Sequence, residues 1–210
     1  MTDLPSPTAA EAPLRRRPSQ TRSRERVERI LAAATDLIAA RGSEATRMAE
    51  VAEAAGISIG SLYQYFPDKA AIIRTLAERY NLQEQACIQA ALDTVRDAAG
   101  LRRALTGLVD DYYALFLAEP VMRDIWSGTQ ADPSLRDIDL AETRLLGDML
   151  AAVLVRLSPD ADPAALRTSA FLTMHVAGAT VRLAIALERS EGEAMMAALK
   201  RMMMRELLPV

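Results

Sequence analysis

An all-α fold is what this sequence predicts, and three observations carry the prediction. Half of the 210 residues are hydrophobic but only 4% are aromatic, so the apolar content is mostly Ala, Leu, Val and Met, residues that propagate helices well. From Ser19 onward apolar residues recur at steps of three and four, the period of a helix with one buried face. No alternating run long enough for a strand interrupts them, and Gly and Pro fall between the periodic stretches, where they end helices.

The elements follow in order. Residues 1–18 are Pro-rich, polar and then basic, and read as a disordered arm. Val27, Ile30, Leu31, Ala34, Leu37 and Ile38 define the buried side of a first helix that begins at Ser19 and stops at Gly42, a terminator that tolerates positive φ. Thr46 is the expected cap of a short second helix carrying Met48, Val51, Ala52 and Ala55, which ends at Gly56. Ser58 caps a third, with Leu62 and Phe66 buried, and Pro67 breaks it. Asp68 caps a fourth helix with Ala71, Ile72, Leu76 and Tyr80 inside, expected to run on to Ala99. Gly100 punctuates. Helices are then expected over 101–118, 121–127, 134–157, 164–189 and 193–207, with breaks at Pro120, between Gly128 and Pro133, between Ser158 and Pro163, and at Glu191-Gly192.

Charge is distributed unevenly. The net charge is −3, yet residues 14–80 hold 12 Arg/Lys against 8 Asp/Glu, while residues 81–210 hold 13 against 18. The densest basic segment, LRRRPSQTRSRERVER over 14–29, has seven Arg and two Glu. Such a block reads either as a nucleic-acid footprint or as a solvated tail. The single cysteine, Cys87, excludes an internal disulfide and a cysteine-based zinc site. The N-terminus has no apolar signal core, and the most apolar stretch, 168–187, is interrupted by His175 and Arg182, so neither export nor a membrane span is expected. A cytoplasmic location follows as the expectation.

The stretch AEVAEAAGISIGSLYQYFPDKAAII contains G-x-S-x-G, the pattern around many hydrolase nucleophiles, and His175 is the one histidine available to a triad. A nucleophile elbow needs a strand before its serine, because the strand-to-helix turn is what exposes the hydroxyl. MAEVAEAA over 48–55 is helix-forming instead. A serine hydrolase using Ser58 and His175 is therefore the remote alternative. Two short helices crossing at a tight turn account for more of the residues: Ala52 small at the crossing, Gly56 at the turn, Ile57 and Leu62 locking the second helix, and Ser58 capping it. Gly60 and Ser61 keep the first turn of that helix slim enough for its end to enter a DNA major groove.

The stretch TRMAEVAEAAGISIGSLYQYFPDKAAIIRTL over 46–76 resembles the DNA-binding domain of the tetracycline-repressor (TetR) family of bacterial transcriptional regulators. The likeness is specific over residues 20–80. It implies a three-helix helix-turn-helix domain over 19–67, a linking helix over 68–99, and a larger helical ligand-binding and dimerisation domain over 100–210. It also implies that Ser58 to Phe66 form the recognition helix. Tyr63, Tyr65 and Lys69 match phosphate-contacting positions, Thr46 matches a phosphate-contacting helix start, and Ile59, Gly60, Ser61, Gln64 and Arg47 match base-reading ones. The partners implied are double-stranded DNA, a second copy paired through helices near 164–189 and 193–207, and an unidentified small-molecule effector.

The acidic remainder shows no metal-ligand cluster, phosphate loop or paired-carboxylate site, so no catalytic residue, metal or cofactor is expected. Small and apolar residues at helical spacing, Ala165, Ser169, Leu172, Val176, Thr180, Leu183 and Leu187, with Met195, Leu199, Met202 and Met203, suit close pairing of helices between subunits. The scarce rings and flexible sulfurs are the candidates for a pocket wall: Phe116, Trp126, His175, Tyr112, Met122 and Phe171. Lined by them, a pocket takes a mostly apolar ligand with one or two polar handles. The function expected is a homodimeric repressor that binds a palindromic operator and is released by that ligand. The alternative is a DNA-binding regulator whose C-terminal half serves only dimerisation or docking.

Overall fold

The computed structural model describes residues 18–128 and 133–208, with side chains over 21–126 and 135–208. The basic segment Arg15 to Arg17 and the rest of the expected arm lie outside the described residues. Among those described, all regular structure is helical: α1 Pro18–Arg41, α2 Met48–Ala54, α3 Ile59–Tyr65, α4 Lys69–Asp93, α5 Ala98–Ala118, α6 Pro120–Gly128, α7 Pro133–Leu157, α8 Pro163–Ala184 and α9 Arg189–Leu207.

Helix ends show local chemistry acting as the sequence dictates, with three corrections. Gly42 and Gly56 both take positive φ, 86° and 66°. At Gly56 the amides of Gly56 and Ile57 donate to Glu53 O and Ala52 O at 3.0 Å each, the double bond that closes a helix through a left-handed residue. Ser58 and Asp68 cap α3 and α4, accepting from Ser61 N at 3.1 Å and Ala71 N at 2.7 Å. The first correction concerns Thr46. The residue at the α2 N-cap is Arg47, whose amide donates to Glu50 Oε2 at 3.0 Å, while the Thr46 hydroxyl turns back to Gly42 O at 2.8 Å.

Secondly, α4 stops at Asp93 instead of running to Ala99. Val95 is fully buried in the turn, Arg156 donates to its carbonyl from α7 at 3.0 Å, and Asp97 caps α5 by accepting from Gly100 N at 2.6 Å. Gly100 thus lies in the first turn of α5. Thirdly, α8 ends at Ala184 and α9 begins at Arg189, so the break precedes Glu191-Gly192 and Leu187 falls in the turn. Gly192 is buried inside α9, where a Cβ would stand 2.6 Å from Ala184 O and 2.6 Å from the Tyr113 hydroxyl; its small size serves packing, not helix termination.

One continuous core runs through the molecule. Ile30, Leu31, Ala34 and Ile38 of α1 meet Val51 and Ala52 of α2, Leu62 of α3, and Ile72 and Leu76 of α4. It continues through Leu101, Leu105, Val109 and Phe116 of α5, Ile125 of α6, Leu150 and Leu154 of α7 and Val181 of α8 to Leu199 and Met203 of α9. The α7, α8 and α9 helices pack in series. At the α7–α8 crossing a Cβ on Gly147 would come within 2.9 Å of Phe171 Cα, so glycine is what lets these two backbones meet.

Candidate functional site

Two places in this fold concentrate chemistry. The first is the outward face of α3. Leu62 is fully buried beneath it, which fixes the helix by its inner side and leaves the opposite side free. Ile59 and Tyr63 are 42% and 51% exposed, Ser58, Gly60 and Gln64 are exposed, and Ser61 and Tyr65 are half-buried, Tyr65 packing on the core. A Cβ built on Gly60 meets nothing within 4 Å. No internal contact therefore demands a glycine there, and its slimness bears only on what approaches from outside. Arg47 is exposed beside this face. Thr46 is not: it is 2% exposed, with its hydroxyl held by Gly42 O. Lys69 is half-buried and its ammonium donates to Ser43 O at 2.5 Å and Glu44 O at 3.2 Å, bracing the α1–α2 turn against the start of α4.

The second is a cavity of about 410 Å³, open to solvent on one side, lined by α4, α5, α6, α7, α8 and one residue of α9. Of the predicted lining residues, Tyr112, Trp126 and His175 are there, together with Met174. Phe116, Met122 and Phe171 are not, and are corrected. Phe116 is fully buried edge-on to Tyr112, ring centroids 4.9 Å apart, and Met122 is core. Phe171 lies at the α7–α8 crossing under the Arg144 guanidinium, 5.3 Å from its ring centre. Ser58 is no part of the wall that holds His175.

The polar part of this wall escaped the sequence reading. It comprises Asn81, Gln83 and Glu84 of α4, Asp111 of α5, Asp139, Glu142 and Thr143 of α7, and Arg182 of α8. Burial pushes the Glu84 carboxyl up to about 8, with the like charges of Glu142 and Asp139 adding and Arg182 opposing. Burial also raises Glu142, against the pull of the bond it accepts from Gln85 at 2.8 Å. The Tyr112 hydroxyl is held well above its ordinary range, first by burial and then by the Glu84 charge. Arg182 sits 4.0 Å from Asp139. A signal for part of this was present in the sequence: Asn81 and Glu84 continue the step pattern Ala77, Asn81, Glu84, Ile88 along the inner side of α4, two polar residues where the period asks for apolar ones.

The two places are physically joined. Asp124 of α6 accepts from Ser43 N at 2.7 Å, in the same α1–α2 turn that Lys69 holds, and Trp126 two residues later lines the cavity. Arg79 of α4 also pairs with Glu28 of α1 through two bonds of 2.6 and 2.5 Å.

A helix-turn-helix unit presenting α3, with a cavity-bearing helical bundle packed behind it, defines the class of DNA-binding transcriptional regulators. Residues 30–76 match the family described as bacterial regulatory proteins, tetR family, and residues 99–210 match the tetracyclin repressor-like C-terminal domain. The chain belongs to the TetR family. Among solved structures, a TetR-family transcriptional regulator from Streptomyces coelicolor is 25% identical with a TM-score of 0.65, the match covering 87% of this chain and 97% of that one. One from Pectobacterium atrosepticum is 21% identical with a TM-score of 0.68, covering 91% and 98%. RolR in complex with the ligand resorcinol is 20% identical with a TM-score of 0.59, covering 90% and 94%. No curated protein matches the chain. Among the described residues, no helix is long and apolar enough to cross a membrane.

Proposed function

We propose that this regulator is a homodimeric repressor that holds a palindromic operator through the α3 faces of two subunits and lets go when a small molecule fills the cavity. The observation that carries the reading is the double attachment of the cavity to the DNA-binding unit. Two of its walls, α4 and α6, are bonded to the α1–α2 turn, through Lys69 and Asp124, and α4 begins a few residues after α3 ends.

On DNA, Ile59, Gly60, Ser61 and Gln64 face base edges with Arg47 beside them, and Tyr63 and Tyr65 donate to phosphates. An ammonium has three donors, so Lys69 retains one for a phosphate after its two carbonyl bonds. Thr46 shapes the turn from beneath. Two recognition helices must stand about 34–36 Å apart to occupy successive major grooves. A ligand that favours another spacing weakens DNA binding by its differential affinity for the two conformations, typically about 1–3 kcal/mol. The cavity volume falls in the range of small-molecule sites, and RolR, of the same fold, holds resorcinol. A C-terminal half used only for docking would not call for such a space.

The test is fluorescence anisotropy of the purified protein on its own upstream intergenic DNA, titrated in salt. Salt-sensitive binding of a dimer to a palindrome is the expected result. No preference over random DNA would sink the operator assignment.

A further inference from the structure

We propose that the cavity selects an organic cation, a largely apolar molecule carrying a protonated amine that sits between the carboxylates of Glu84 and Glu142 and the side-chain carbonyl of Asn81. The identity of the occupant as effector rests on the function proposed above; the charge preference of the cavity does not.

Three independent observations point the same way. Four carboxylates, Glu84, Asp111, Asp139 and Glu142, face the space against a single guanidinium, Arg182, and that guanidinium already stands beside Asp139. Even with Glu84 protonated, Asp111, Asp139 and Glu142 outnumber that guanidinium, so an anionic ligand would enter a field of its own sign. Next, two acceptors are left over. Asn81 is only 5% exposed, and neither its Oδ1 nor Glu142 Oε1 receives a hydrogen bond among the described residues, although both atoms are buried. Buried acceptors without donors are costly, and an ammonium supplies three donors at once. Finally, the rest of the wall suits the body of an organic cation: the rings of Tyr80, Tyr112 and Trp126 line the space, and aromatic rings attract positive charge besides supplying apolar surface. A bare metal ion fits less well. Among the described residues no group of three His, Cys, Asp or Glu side chains is placed to hold one.

Proton balance gives the proposal a signature. With the cavity empty the Glu84 carboxyl is pushed up to about 8, so at neutral pH it carries a proton. The groups facing it are Asp139, Glu142 and Arg182, with Tyr112, Asp111 and His175 elsewhere on the same wall. An incoming cation favours the ionised carboxylate, so binding expels that proton, and affinity rises with pH up to about 8 and then levels off.

The experiment is calorimetry on the intact protein, without DNA, using three probes of one skeleton: 4-phenylbutylamine, 4-phenylbutanol and 4-phenylbutyrate. The amine is expected to bind about tenfold or more tightly than the alcohol and the acid, with an enthalpy that varies with buffer ionisation because a proton is released. Glu84→Gln is expected to abolish the proton release, and Glu142→Gln to reduce the amine preference. Circular dichroism checks that both variants keep the fold. Equal or tighter binding of the alcohol or the acid, or no amine binding at all, overturns the proposal. Amine binding that leaves the operator complex intact would sink the effector reading while the charge preference stood. Conversely, release of DNA by a neutral or anionic molecule that also binds at least as tightly as the amine in the calorimeter would leave the effector reading standing and overturn this one.

Discussion

Glu84 carries the clearest consequence at the scale of a single residue. Its folded pKa of about 8 lies above the ordinary 4.5, so between those values the folded chain holds a proton that the unfolded chain has released. Stability therefore falls as pH rises through that window, by up to about 1.4 kcal/mol per pH unit, and the loss ends above pH 8. Glu84→Gln removes this contribution, leaving that of Glu142, whose carboxyl burial also raises. Thermal melts should show the variant more stable than its parent at pH 8, with the difference closing toward pH 5; parallel melting curves at the two pH values would refute the buried-acid account. On the DNA face, Tyr63→Phe removes a neutral donor and should weaken binding to every sequence without altering the salt slope, whereas Lys69→Ala should weaken binding and lower the slope by about one. An unchanged slope in Lys69→Ala would assign that ammonium to the α1–α2 turn alone. Legibility at this scale divides by type of signal. Ser58 and Gly56 are legible in the sequence because caps and turns depend on near neighbours. Phe116 and Met122 could not be told from cavity wall, because a ring or thioether on an inward face looks the same whether the space before it is filled or empty.

Elements were legible in number and kind, and less so at their ends. Both ends of the α8–α9 turn lie before the break that the sequence suggests, because Gly192 is a contact residue and not a breaker. The contact makes a prediction: Gly192→Ala places a Cβ 2.6 Å from a backbone carbonyl, Ala184 O, and from the Tyr113 hydroxyl, so something must shift. Overpacking of this kind costs about 1–3 kcal/mol, and a lowered midpoint in urea unfolding should reveal it; an unchanged midpoint would mean that α9 slides freely on α8. The link between α6 and the α1–α2 turn was invisible in the sequence, since Asp124 and Ser43 are far apart along the chain and neither interrupts a period. Asp124→Ala leaves Ser43 N without that acceptor. If α6 transmits occupancy of the cavity, this variant should still bind ligand but show a smaller ligand-induced loss of DNA affinity. Full coupling in the variant would leave α4 as the route.

At the scale of the whole molecule, α8 carries an exposed apolar stripe. Leu172 and Leu183 are 54% and 53% exposed, eleven residues and so three helical turns apart, with half-buried Val176 and exposed Ala179 between them on the same stripe. Met202 of α9 is 61% exposed as well, while Leu199 and Met203, also candidates for pairing by their spacing, face their own core. Ser169 of α8 donates to Glu206 of α9 at 2.5 Å, tying the two helices into one surface. A second copy applying the same surface would bury the stripe twice and complete a four-helix bundle. The double variant Leu172→Glu, Leu183→Glu should then sediment as a monomer. Each free subunit could hold only one half-site, so operator affinity should fall by the factor that simultaneous engagement contributes, on the order of 10²–10⁴. Neither residue lines the cavity, so small-molecule binding followed by Trp126 fluorescence should survive in the monomer. A variant that stays dimeric would move the interface elsewhere, and one that is monomeric yet binds the full operator with parental affinity would remove the need for symmetry in DNA recognition.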